Sequence, residues 1–146
     1  MDSHGPKKSH FPKKKVGKNT HFLEALHYAW EGIQYAFETE RNLRIEGVLF
    51  LSVVVAAVVL QLGRLEWAIL LVTAVVVFAA EFTNSLVEWV CDLYVGPHYH
   101  PKVKHIKDAA AGLVTLVIMG AVFIGMLLFI PHLWQLGRAV FQLFIN

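Results

Sequence analysis

The sequence predicts an all-α integral membrane protein: an N-terminal amphipathic surface helix, three transmembrane helices and a short C-terminal amphipathic helix. Three observations predict it. Of the 146 residues, 56% are hydrophobic and only 16% are charged, against about 25% charged in an ordinary soluble domain. Three apolar runs follow one another, each of about 20 residues or more, long enough as a helix to cross a hydrocarbon layer of about 30 Å. The segments on either side carry apolar residues at helical spacing, with polar residues between them. A formal net charge of +2 makes no electrostatic case for nucleic acid as a partner. A single cysteine, Cys91, excludes an intramolecular disulfide framework.

Residues 1–20 hold six Lys, two Pro and two Gly with hardly any apolar residue. They are expected to form a disordered basic tail that draws the chain to anionic lipid. Residues 21–40 place Phe22, Leu26, Ala29, Trp30, Ile33 and Phe37 three or four apart, which predicts a surface helix with a Glu-rich outer face. Packing of this helix on the protein's own helices is compatible with that reading. The first span is expected over Leu43–Leu62, with Arg44 and Glu46 at its interfacial end and a tight turn at Gly63 and Arg64. The second runs from Trp67 to about residue 92. The third runs from about residue 107 to Ile130, with no charge after Ala109, and the loop Tyr94–His105 separates the two. Residues 131–146 then read as a C-terminal interfacial helix.

The basic residues give orientation. Lys7, Lys8, Lys13, Lys14, Lys15, Lys18, Arg41 and Arg44 precede the first span, and Lys102, Lys104 and Lys107 lie between the second and third. Only Arg64 and Arg138 fall on the other side. The positive-inside rule therefore puts the N-terminus and the second loop in the cytoplasm.

The second span carries residues that do not suit lipid. Glu81, Asn84, Ser85, Glu88 and Asp92 share one helix face at about 100° per residue, a polar stripe on an otherwise apolar helix. An ionisable residue inside a span costs on the order of 3 kcal/mol, so it is functional by default. Counting from Trp67, Glu81 lies about 21 Å along the helix axis, whereas Glu88 and Asp92 emerge at the cytoplasmic boundary. Inter-helix hydrogen bonding alone accounts for an Asn or a Ser but poorly for several carboxylates on one face. Glu38 and Glu40, at the end of the surface helix, and Lys107–Asp108, opening the third span, belong to the same boundary. Carboxylates converging from separate segments suit Mg²⁺ held together with nucleotide phosphates. Lys107 and Asp108 taken alone read equally well as an interfacial anchor and a first-turn acid. His98, His100 and His105 match no zinc spacing and read as loop histidines facing an anionic ligand or solvent. The chain has no Walker-type loop, no G-x-G-x-x-G and no soluble-kinase signature. A proton- or cation-coupled carrier that uses Glu81 is the alternative reading.

Three segments carry a resemblance: E-R-N-L-R-I-E-G (40–47), E-F-T-N-S-L-V-E-W-V-C-D (81–92) and Y-H-P-K-V-K-H-I-K-D-A-A-A (99–111). They are similar to the prokaryotic diacylglycerol kinase and undecaprenol kinase family over about residues 21–130. The resemblance implies a small inner-membrane lipid kinase of bacteria, assembled as a homotrimer with shared active sites. Such an enzyme transfers the γ-phosphoryl of ATP, with Mg²⁺, to a lipid hydroxyl. Carried over by motif position, Glu81 resembles the catalytic base and Asn84 its positioning partner. Glu40 and Glu88 resemble the metal ligands, with Tyr28, Asp92, His100, Lys107 and Asp108 as further nucleotide contacts. His98 stands where the Gram-negative diacylglycerol kinases have an acid, and His21 where they have a basic residue. The E-R-N-L-R-I run is closer to the Gram-positive type, which implies undecaprenol in preference to diacylglycerol.

Overall fold

The computed structural model describes residues 22–145, and its ordered elements are all helices: α1 (Phe22–Thr39), α2 (Arg41–Val59), α3 (Arg64–Val95) and α4 (Pro101–Ile145). The fold is thus all-α. The segment expected to be a disordered tail, 1–20, lies outside the described residues. Helices α2, α3 and α4 are each long and apolar enough to cross a membrane, and α1 precedes them as expected.

The break between α1 and α2 is a single residue, Glu40, at φ −92° and ψ 116°. Arg44, one turn into α2, closes the corner. Its guanidinium donates to the carbonyl oxygens of Phe37 (3.1 Å) and Glu38 (2.5 Å), groups at the end of α1 that have no partner further along their own helix. Ala36 and Leu43 are buried inside the bend. The rings of Phe37 and Phe50 pack on Phe78 of α3, at centroid distances of 6.2 and 5.9 Å. The corner is thereby seated on the second span.

Element ends differ from the sequence reading. The first span ends at Val59, three residues early, and the turn is Leu60–Gly63, with Arg64 already helical. Gln61 takes a left-handed φ of 54° there. The backbone N–H of Gly63 donates to the Glu66 carboxylate at 2.7 Å, which starts α3 before Trp67. The loop between the last two spans is only residues 96–100. Gly96, at φ 57° and ψ −137°, stops α3, and Pro101 suits the first position of a helix because its missing N–H is not needed there.

The segment after Pro131 is helical, but it continues α4 without a break. Pro131 removes one helical hydrogen bond, and the His132 ring Nδ1 lies 3.0 Å from the Leu128 carbonyl oxygen. His132 Nε2 also sits 3.5 Å from Glu66, which ties α4 to the start of α3. At that end Ala57, Leu62, Leu70 and Leu128 form the apolar core. The polar stripe lies toward the other end of α3.

Candidate active site

The stripe on α3 faces inward as its spacing predicts. Glu81, Asn84 and Ser85 are buried, with Glu81 only 4% exposed, while Glu88 is half-buried and Asp92 exposed. Burial therefore falls along the helix from membrane interior to edge. Ser85 spends its hydroxyl on the carbonyl of Glu81, one turn back (3.2 Å). The carboxamide of Asn84 donates to Glu88 Oε1 at 3.2 Å, while its own oxygen is buried without a partner.

Glu46 of α2 is half-buried on the neighbouring span. Its Oε2 is likewise buried and unpartnered. The sequence reading placed Glu46 at the interface and missed it. The rule that singled out Glu81, a carboxylate inside a span, applies equally to a residue six places into α2. Glu46 also lies at the lining of a cavity of about 330 Å³ between α2, α3 and α4, whose other walls include Leu49, Phe50, Phe78, Val122 and Phe129. An apolar chamber with one carboxylate at its wall suits an amphiphile with a polar head and a hydrocarbon tail.

Toward the membrane edge, Trp89 Nε1 donates to Glu40 Oε1 at 2.6 Å, joining the α1–α2 corner to α3. Glu40, between α1 and α2, is thus bonded to the residue next to Glu88 on α3. Glu40 and Glu88 each have one carboxylate oxygen held by an N–H donor and a second oxygen without a hydrogen bond among the described residues. That donor chemistry fits Mg²⁺, which takes oxygen ligands and is usually held by one or two carboxylates plus phosphates.

At the outer rim Lys107 of α4 pairs with Asp92 of α3 (2.5 Å), and Lys104 with Asp108 (2.6 Å). Lys107 and Asp108 were both expected as ligand contacts. Here each has a protein partner, in solvent-screened pairs that a phosphate can displace. Tyr28 lies exposed on α1 beside the His27 ring (6.0 Å), and His100 lies exposed in the loop. Neither side chain hydrogen-bonds to the cluster among the described residues.

The prokaryotic diacylglycerol kinase family matches residues 27–129, a stretch that contains every one of these positions. The chain belongs to that family. A diacylglycerol kinase of Synechocystis is 40% identical over 85% of this chain and 74% of its own length. The undecaprenol kinase of Bacillus subtilis is 32% identical over 77% of this chain and 90% of its own length. The diacylglycerol kinase of Escherichia coli is 31% identical over 77% and 92% respectively. This member of the diacylglycerol kinase family is accordingly a membrane lipid kinase, a phosphotransferase with an alcohol acceptor. Membership decides against the carrier reading.

Proposed function

We propose that this kinase transfers the γ-phosphoryl of ATP to the hydroxyl of undecaprenol in preference to diacylglycerol, at the cytoplasmic leaflet of a bacterial inner membrane. The observation that carries the reading is the pair of orphaned buried acceptors, Glu46 Oε2 and Asn84 Oδ1, beside buried Glu81. A buried acceptor without a donor is costly, and a lipid hydroxyl brought up from the apolar cavity offers its single O–H to this cluster before the proton passes to Glu81.

Glu81 acts as general base and takes the hydroxyl proton as the oxygen attacks the γ-phosphorus, while the bond from that phosphorus to the β–γ bridging oxygen breaks and ADP leaves. Asn84 holds Glu88 through its N–H and so helps to position the transferring phosphoryl. Bound Mg²⁺, held by Glu40 and Glu88, would neutralise charge on the phosphates. Lys107 leaves Asp92 to pair with phosphate, and Asp108, Asp92, Tyr28 and His100 complete the nucleotide site. Phosphoryl transfer depends more on positioning and charge neutralisation than on covalent chemistry, and these groups provide both. Within one chain Tyr28 and His100 are exposed and make no hydrogen bond to the cluster among the described residues, which supports a homotrimer whose sites are shared between copies. The basic residues of the N-terminal segment and of the opening turns of α2 and α4 support a cytoplasmic N-terminus.

The test is purified protein in bicelles with Mg-ATP, offered undecaprenol and diacylglycerol separately. Undecaprenyl phosphate is expected as the main product, and Glu81→Gln is expected to lose about 10²–10⁴-fold in kcat. Absence of any phosphorylated lipid, or full activity in Glu81→Gln, overturns the proposal. Faster turnover of diacylglycerol reverses the substrate preference alone.

A further inference from the structure

We infer that Trp89 is a positioning residue whose indole N–H fixes the carboxylate of Glu40 for metal binding. The inference rests on the reading of Glu40 as a metal ligand. Trp89 matched no expected role and is separated from Glu40 by 49 positions, so only the fold joins them.

Glu40 sits where a helix cap belongs, at the residue before α2, yet its side chain makes no capping bond to that helix. Its Oε1 turns instead to Trp89 Nε1, at 2.6 Å. A local rule set aside at one residue points to another demand on that residue. Indole suits the demand because it is a donor only: it can hold one carboxylate oxygen and cannot compete for a cation. The ring is itself braced, its centroid 5.4 Å from Tyr35 of α1 in an edge-on arrangement of 67°. Trp89 is therefore wedged between the surface helix and the site, and Glu40 has its second oxygen free of hydrogen bonds among the described residues. Asn84 does the same for Glu88 with its carboxamide. Each of the two carboxylates thus has its own N–H holder on α3, one turn or less from Glu88. Groups that orient a ligand in this way are worth about 10–100-fold in metal affinity or activity.

The experiment compares wild type, Trp89→Phe and Glu40→Gln in bicelles. Trp89→Phe keeps a ring against Tyr35 but removes the donor together with part of the bicycle. A second variant carries β-(3-benzothienyl)alanine at position 89, the same bicyclic shape with sulfur in place of N–H, and serves if the phenylalanine variant does not fold. Two readouts are taken: calorimetric affinity for the magnesium complex of a non-hydrolysable ATP analogue, and KM for the lipid. The expected result is affinity weakened about tenfold or more in the position-89 variants, with the lipid KM unchanged and a comparable loss in Glu40→Gln. Wild-type affinity in the position-89 variants beside a weakened Glu40→Gln overturns the role of Trp89 and leaves Glu40 as a ligand. Wild-type affinity in Glu40→Gln overturns the ligand reading, and this inference with it. A lipid KM that rises together with the loss of affinity shows a merely structural role and also overturns it.

Discussion

Among single residues, Glu46 and Glu81 show most directly what the buried site demands. Glu81 is buried, and Glu46, at the wall of the apolar cavity, keeps one carboxylate oxygen buried with no donor. Glu46→Gln replaces a charge with a carboxamide of nearly the same shape. It is expected to lower kcat/KM for the lipid about tenfold while leaving the KM for ATP unchanged, which steady-state kinetics with each substrate varied in turn will measure. An equal effect on both substrates removes Glu46 from the lipid side of the site. The α3 stripe was legible in the sequence because burying Glu81 in a span costs too much to be incidental. Glu46 was less legible because it stands near the start of its helix, where depth depends on how that helix enters the membrane. Trp89 was illegible, since no local pattern connects a tryptophan to a glutamate on another helix.

At the scale of elements, α2, α3 and α4 follow from their apolar runs because a bilayer asks mainly for length and apolarity. Their ends do not follow, because ends are set by hydrogen bonds that hydropathy does not register. The Glu66 carboxylate on Gly63 begins α3 early, and Gly96 with Pro101 shortens the loop to five residues. The most consequential end is the α1–α2 corner, since it carries Glu40. Arg44 holds that corner through two carbonyls, and Arg44→Ala leaves both to water. Thermal unfolding in detergent should report a loss of about 1 kcal/mol, together with weaker binding of the magnesium–nucleotide complex as Glu40 loses its fixed place. A variant as stable and as tight-binding as wild type shows that the corner is held by Ala36 and Leu43 packing alone.

For the whole molecule, the contrast is between few buried apolar residues and many exposed ones. Along α2, Val48, Leu51, Val55, Val58 and Val59 each stay more than half exposed. Lipid covers some of that surface, and other copies of the chain cover the rest in the proposed trimer. Light scattering in detergent is expected to give a protein mass of about three chains of 16.5 kDa, with activity falling on dilution as copies separate. A fully active monomer overturns the shared-site arrangement.

Helix α4 has 45 residues, so it is about 68 Å long, more than twice the hydrocarbon thickness of about 30 Å. Much of it therefore projects past the bilayer, and the projecting end still carries Leu133, Trp134, Leu136 and Phe141 exposed. Pro131 is where this rod is weakest, because one of its backbone rungs is already missing there. Bending at that joint would lay the apolar side of the end segment along the headgroups at little further loss of hydrogen bonding. A proline that leaves the helix continuous thus gives the membrane a ready-made elbow.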